Sequence, residues 1–160
     1  MKKIILCLSG IFFTIGLPAQ TKTFKGAWFD IKYPSSFSVK PSLRSATDAN
    51  GYESAFFESP DHLVEFYVFS PQWRGEATDI LLKTSEKLTG TKTETSGNTT
   101  IKWWTIAAKN GSYIRSYQEK TDNLTNTNWV IGIKYKNQPA FNKYKKQYLA
   151  FKSSLVQYAD

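Results

Sequence analysis

The chain has 160 residues, of which 16% are aromatic, and it carries a formal net charge of +8 and one cysteine. This length favours a single domain, and one cysteine excludes a fold held together by internal disulfides. The lysines are spread along the sequence without a dense block. The positive charge therefore favours solubility rather than a nucleic-acid-binding surface.

Residues 1–20 have the pattern of a cleaved secretory signal peptide, and a buried N-terminal helix is the alternative. A basic start precedes an apolar run at Ile4–Leu17, and small residues follow it. The run is shorter than the ~20 residues that a membrane-spanning helix needs. Because Cys7 lies inside this run, we expect the mature chain to have no thiol. We predict export to the periplasm or the extracellular space, and a single domain without a transmembrane segment at 21–160.

The first strand is predicted from alternating apolar residues. Phe29, Ile31 and Tyr33 fall on one face of an extended segment, which indicates a half-buried strand. Pro34 cannot donate a ladder hydrogen bond, so we expect the strand to end there.

A hairpin is predicted from two apolar segments, 52–59 and 62–70, around the sequence Ser59-Pro60-Asp61. Proline and aspartate in these positions are typical of a tight turn. The second segment is apolar on both faces except at Glu65. We therefore expect it to be a central strand with a layer on each side.

Residues 76–89 show a helical period. Apolar side chains recur there at intervals of three and four, and Gly90 follows in the position of a C-terminal cap. We predict a helix over 76–89, followed by a polar connection over 91–100.

The dipeptide Asn110-Gly111 predicts a type I′ turn between two strands. The cross-strand pairs counted outward from a two-residue turn are Trp104 with Tyr117, Ile106 with Arg115, and Lys102 with Glu119. A third strand at 127–135 is expected to pair with this hairpin.

The last predicted element is a helix. Asn137 suits the N-cap and Pro139 suits the first turn, and a mainly aromatic stripe repeats at three and four from Phe141 to Leu155. The order of strand, hairpin, helix, three antiparallel strands and helix favours a layered α+β domain.

Residue types that carry catalysis are scarce. The one histidine, His62, is predicted in an exposed turn, and the sequence has no G-x-S-x-G motif and no zinc-binding cluster. A two-carboxylate hydrolysis stays open, with Glu65 as its first candidate because it lies inside an apolar strand. A salt bridge from Glu65 to a neighbouring strand is the simpler expectation. We predict no catalytic residue, no metal site and no cofactor.

Aromatic residues are the candidates for binding. Trp103 and Trp129 lie on predicted neighbouring strands among basic residues, an arrangement suited to stacking on sugars or single strands, although such aromatics more often fill a core. Trp73 and Arg74 follow a strand in a loop, and both residue types are frequent in interface hot spots. The alternative for this pair is a plug over the sheet edge.

An exported chain of this length that opens on FDIKYPSSF, at 29–37, resembles the PsbP-like family. In that family a strand ending in Tyr-Pro and followed by a phrase such as Ser-Ser-Phe opens the domain. The resemblance also covers the paired strands near AFFESPDHLVEFYVF, the predicted helix at 76–89, the Trp-rich hairpin and the closing YLAFKSSL. It extends over roughly 24–158 of the chain.

The resemblance implies an α/β/α sandwich, in which helices flank both faces of a central antiparallel sheet. Family members are mostly non-enzymatic accessory or adaptor proteins, and their metal and partner residues have no counterparts in this sequence. We therefore expect a monomeric, exported, non-catalytic binding or accessory protein, whose partner is another envelope protein and not nucleic acid. The alternatives are a carboxylate-dependent hydrolase and a binder of carbohydrate or anionic ligands that uses exposed aromatic side chains.

Overall fold

A computed structural model describes residues 20–158, which form ten strands and one α-helix. The elements are β1 (Thr21–Lys25), β2 (Phe29–Pro34), β3 (Ser38–Pro41), β4 (Ser54–Glu58), β5 (Val64–Phe69), β6 (Glu86–Ser96), β7 (Thr99–Ala108), β8 (Ile114–Asp122), β9 (Thr127–Tyr135), α1 (Gln138–Ser153) and β10 (Val156–Gln157). The predicted signal peptide, apart from Gln20, lies outside the described residues. No helix in the described range is long and apolar enough to cross a membrane.

The described residues form mostly strands, arranged in two antiparallel sheets, so the expected layered α+β domain and its α/β/α sandwich are both wrong. Seven strands form one sheet in the order β3-β4-β5-β9-β8-β7-β6, and the order β1-β2-β10 forms a small second sheet. Helix α1 and the small sheet pack on the same face of the large sheet. The opposite face has no helix layer among residues 20–158, because the segment predicted to supply it folds differently. We call this opposite face the open face.

The larger core lies between the two sheets and α1. Phe29 and Ile31 of β2 are fully buried there, as the alternation of the first strand predicted. Phe66 of β5 packs against Tyr148 and Phe151 of α1, with ring centroids 5.4 Å and 5.2 Å away. The hairpin of β4 and β5 is confirmed, and β5 is an interior strand, paired with β4 on one side and β9 on the other.

The helix predicted over 76–89 is wrong. Only Thr78–Ile80 forms a short 3₁₀ helix, and β6 begins at Glu86. Pairing with β6 gives the backbone groups along the outer edge of β7 hydrogen-bond partners within the protein in place of water. Threonine occupies every second position over 89–95, and this alternation of β-branched residues favours a strand. The predicted polar connection over 91–100 is therefore the β6–β7 hairpin.

The hairpin at Asn110-Gly111 is confirmed together with its register. Ile106 lies opposite Arg115, and the other predicted pairs are also present. The turn itself is not of type I′, which needs positive φ at both central residues. Gly111 has a φ of 74°, Asn110 does not have a positive φ, and the Gly111 amide donates to the carbonyl of Ala108. The third predicted strand is confirmed as β9, which pairs with β8.

The closing helix is confirmed as α1. The side chain of Asn137 accepts a hydrogen bond from the Ala140 amide at 2.9 Å, which makes it the N-cap. Tyr144 and Phe151 of the predicted stripe are buried against the large sheet. After the helix, β10 pairs with β2, so the end of the domain is joined to its beginning.

Candidate functional site

The open face is covered by a loop instead of a helix. Residues 70–85, which we call the cover loop, run from β5 to β6 and carry the 3₁₀ helix. Ile80 of this loop is buried in a second, smaller core with Tyr67, Tyr117 and Val130. These strand residues point away from α1, and Ile80 and Ala77 of the loop cover them together with Leu43, which lies between β3 and β4.

Arg115 holds the cover loop to the sheet. Its Nε and Nη2 donate to Glu86, its Nη1 and Nη2 donate to the carbonyls of Ile80 and Leu81, and its Nη1 also donates to the hydroxyl of Tyr117. These five bonds use all five N–H donors of a guanidinium. Arg115 is therefore a brace inside the structure and has no donor left for a ligand.

Glu86 is the buried counter-charge of Arg115. Their closest atoms are 2.5 Å apart, and the two side chains are 1% and 5% exposed. Burial by itself would raise the pKa of the Glu86 carboxyl. Hydrogen bonds from Arg115, the Lys83 amide and the Tyr113 hydroxyl outweigh burial and lower this pKa to about 2. Glu86 is thus ionised at neutral pH and saturated with donors.

Asp79 fastens the middle of the cover loop. Its carboxylate accepts from the hydroxyls of Ser54 and Tyr67, each at 2.6 Å. Burial and the neighbouring Asp79 charge raise the pKa of Tyr67, so this hydroxyl keeps its proton and remains a donor. Nearer the start of the loop, Asn128 donates to the carbonyl of Gly75 at 2.9 Å and accepts from its amide at 3.0 Å.

An apolar groove lies between the cover loop and strands β6 and β7. We call it the leucine groove, after Leu81, Leu82 and Leu88, which are 52–56% exposed. Its volume is ≈ 410 Å³, and Trp104 and Ile106 line it from β7. Contiguous exposed apolar surface of this kind on a small domain indicates an interaction site.

A second cavity lies on the opposite side of Ile80, which lines both. We call it the polar cleft; its volume is ≈ 330 Å³. Its charged lining consists of Lys40, Lys83, Arg115, Lys134, Glu65, Asp79 and Glu86. Phe56, Tyr113 and Tyr117 supply aromatic walls.

The four residues predicted for binding do not meet in one place. Arg74 lines the leucine groove, and its neighbour Trp73 is 52% exposed. Trp129 packs against the larger core on the face of α1. Trp103 alternates with Trp104 along β7 and so points to the α1 side, where Lys92 lies 5.5 Å from its ring centroid. Trp103 and Trp129 thus both lie on the α1 face of the large sheet, whereas Arg74 lies on the open face.

The two residues considered for catalysis have ordinary partners. His62 lies in the β4–β5 turn with a φ of 53°, and its Nδ1 is 2.9 Å from a carboxylate oxygen of Glu58. Glu65 lies 3.7 Å from the ammonium of Lys134 on β9, which is the cross-strand salt bridge expected from the sequence. No group of three His, Cys, Asp or Glu side chains within residues 20–158 is placed to hold a metal ion.

Sequence reasoning singled out Arg74 and Glu65, which line the leucine groove and the polar cleft, but missed the other residues that build these cavities. Leu81 and Leu88 were assigned to one stripe of a helix, and Glu86 and Asp79 were not identified. One pattern in the sequence pointed to a buried ion pair. The register of the Asn-Gly hairpin places Arg115 opposite Ile106 in the middle of a sheet, and a buried arginine needs a carboxylate.

Comparison with known proteins gives structural likeness only. No family model matches the chain, and no curated protein matches its sequence. The chain is similar to the solution structure of cyanobacterial PsbP (CyanoP) from Synechocystis sp. PCC 6803, with 9% identity over 93% of this chain and 98% of that chain, and a TM-score of 0.48. It is also similar to the Ran-binding protein Mog1p of Saccharomyces cerevisiae, with 10% identity over 89% of this chain and 97% of that chain, and a TM-score of 0.46.

A mutant of Mog1 is similar at 12% identity over 88% of this chain and 97% of that chain, with a TM-score of 0.44. At these sequence identities and TM-scores, the likeness concerns only the course of the backbone. No ligand or partner follows from it for this protein, and the PsbP-like family stays a resemblance.

Proposed function

We propose that the chain is an exported, non-catalytic binding protein that holds an extended segment of another envelope protein on its open face. The observation that carries this proposal is the position of three half-exposed leucines beside a free sheet edge. The resemblance of the sequence to a family of accessory proteins agrees with such a role.

The leucine groove supplies the apolar part of the contact. Burying one leucine side chain from water stabilises a complex by roughly 1.5–3 kcal/mol. Arg74 and Lys102 line the groove together with Glu76 and Glu119, so its lining charges balance. Affinity therefore comes from apolar burial more than from charge, and the partner segment has apolar side chains.

The free edge of β6 supplies the backbone part of the contact. β6 has eleven residues, pairs with no strand other than β7 among residues 20–158, and is solvent-exposed from Lys87 onward. An extended peptide adds to such an edge through main-chain hydrogen bonds, and its alternate side chains give specificity. Leu88 lies on the open face, opposite Ile106, so every second side chain of an added strand meets the groove.

The ionisable residues of the open face support a role without catalysis. Glu86 is held ionised by Arg115 and is not available as a general acid at neutral pH. Glu65 is engaged by Lys134, and His62 lies in an exposed turn at the end of β4.

The test is site-specific photocrosslinking in the host, with a benzophenone amino acid at position Leu82 or Leu88 of the full chain. We expect both positions to crosslink to the same envelope protein, because both leucines line the leucine groove. The matched control position is Leu149 of α1, which is 52% exposed on the other side of the molecule.

Binding of the purified partner is then measured by calorimetry. Leu82→Ser is expected to weaken binding at least tenfold, since a leucine contact contributes roughly 1.5–3 kcal/mol. Thr91→Pro, which removes an edge hydrogen-bond donor, should weaken it as well, whereas Leu149→Ser should not. Equal crosslinking from Leu149, or binding that tolerates both open-face substitutions, would exclude this proposal.

A further inference from the structure

We propose that the polar cleft binds a small organic anion, through a phosphate or a carboxylate group, independently of any partner in the leucine groove. The inference rests on three observations: a cavity of suitable size, walls that are fixed by internal bonds, and two lysines that form no ion pair within the described residues.

The cleft is a partly open cavity. Its ≈ 330 Å³ lies at the lower end of the range for small-molecule sites, which is about 300–1,000 Å³. Phe56 of β4 and Tyr117 of β8 form apolar walls, and Ser42 adds a hydroxyl at the rim. A ligand about the size of one sugar unit with a charged group fits a cavity of this kind.

The inner wall is rigid because its polar groups are already satisfied. All five donors of Arg115 and both carboxylate oxygens of Glu86 are engaged. Both carboxylate oxygens of Asp79 accept from the hydroxyls of Ser54 and Tyr67. These groups hold the cavity open and do not need to rearrange when a ligand enters.

The charges that remain are mainly positive. The cleft contains four cationic side chains and three carboxylates, which leaves an excess of one positive charge. Within residues 20–158, neither Lys40 nor Lys83 forms an ion pair, and both side chains are exposed. Lys134 is half-exposed and only 3.7 Å from Glu65, so it is partly neutralised.

An oxyanion is the ligand group that matches this arrangement. Lys40 comes from β3 and Lys83 from the cover loop, so the two lysines line the cleft from different elements. A ligand anion between them gains attraction from both charges, whereas a neutral sugar gains none. The position of Glu65 in the lining favours a ligand that also carries hydroxyl groups, because a carboxylate accepts hydrogen bonds from them.

The test is an NMR titration of the exported, purified chain in low-salt buffer, with inorganic phosphate, glucose 6-phosphate, glucuronate and glucose as probes. We expect the amides of Ser42 and Tyr113 to shift saturably with at least one anionic probe and not with glucose. Saturation by the two phosphate compounds alone identifies the bound group as phosphate, and saturation by glucuronate alone identifies it as a carboxylate.

Matched lysine variants decide whether the cleft is the site. Lys40→Gln and Lys83→Gln should each weaken binding about fivefold, because each removes one attracting charge. Lys145→Gln, on the exposed side of α1, should change affinity less than about twofold. The proposal is overturned if no anionic probe saturates below about 10 mM. It is also overturned if Lys145→Gln weakens binding as much as the cleft variants.

Discussion

Gly132 lies in the middle of β9, directly beneath the ring of Tyr117 on the open face. A Cβ at this position would overlap Cδ1 and Cε1 of that ring and would also lie 3.1 Å from the carbonyl of Ser116. Tyr117 in turn stacks on Trp104 of β7, with ring centroids 5.3 Å apart. A glycine inside a strand often marks such a close approach. One missing side chain thus sets the position of the aromatic pair beside both cavities.

The substitution Gly132→Ala is expected to lower the free energy of unfolding by about 1–3 kcal/mol, because the Tyr117 ring must move and loses its packing. The measurement is urea denaturation followed by tryptophan fluorescence. Gly90→Ala on β6 is the matched control, because a Cβ there meets nothing within 4 Å. Equal stability of the two variants would show that the ring does not rest on Gly132.

The elements differ in how far the sequence around each one determines where it begins. Helix α1 has a complete start signal, with Asn137 as N-cap and a proline in the first turn, so the sequence predicts its beginning. β6 has no start signal of this kind, and the threonine alternation over 89–95 favours a strand without marking where it begins. Its register against β7 shifts between Leu88 and Gly90, and the ladder depends on a partner strand. For this reason the start of α1 was predicted to the residue, while β6 was taken for a helix and a polar connection.

The cap of α1 gives a prediction at the scale of one element. Asn137→Ala is expected to lower the free energy of unfolding by about 1 kcal/mol, because the Ala140 amide loses its acceptor. Asn142→Ala, at an exposed position within the same helix, removes only a hydrogen bond from Gln138 and should cost less than about 0.5 kcal/mol. Thermal unfolding followed by circular dichroism compares the two variants. An Asn137→Ala variant with the melting temperature of the wild type would contradict the role of Asn137 as the N-cap.

At the scale of the whole molecule, hydrogen-bonded carboxylates link stability to pH. Glu86 ties the cover loop to the sheet through Arg115. Asp61 ties the β4–β5 turn to α1, through Lys143 and Tyr144 at 2.8 Å each. Burial alone would raise the pKa of Asp61, but the hydrogen bonds from Lys143, Ser59, Tyr144 and Leu63 outweigh it and lower the pKa. Both carboxylates therefore stabilise the fold only while they are ionised.

We therefore expect acid to unfold the protein. The pKa of Glu86 is about 2 when folded against 4.5 for a free carboxyl, so its contribution is complete above pH 4.5 and is lost as pH falls towards 2. This shift corresponds to about 3 kcal/mol. Urea denaturation over this pH range is the measurement.

Glu86→Gln is expected to flatten this pH dependence. At neutral pH it should lower the free energy of unfolding by about 3–5 kcal/mol, because Arg115 stays buried without a counter-charge. Glu94→Gln, in an exposed ion pair with Lys92, should keep the wild-type pH dependence and cost less than about 1 kcal/mol. An unchanged acid slope in Glu86→Gln would refute the role of this pair.

The sequence by itself determined those features that depend on neighbours along the chain. Alternation placed Phe29 and Ile31 on a buried face, Asn110-Gly111 set the β7–β8 register, and Asn137 began α1. Each of these features depends on a side-chain period of two residues in a strand or 3.6 in a helix, or on a residue suited to a turn or a cap. All of these are properties of residues that are neighbours in the sequence.

Only the tertiary structure decided which secondary structure residues 76–96 adopt and where the two cavities lie. Residues 86–96 form β6 because they pair with residues 99–108 of β7, and a local helical period does not reveal that pairing. With no helix from this segment, the open face received a loop held by Arg115 and Asp79. Leu81 and Lys83 then point into two different cavities because the loop follows its anchors and not a helical repeat. Such anchors join residues far apart in the sequence, so no local pattern reveals them.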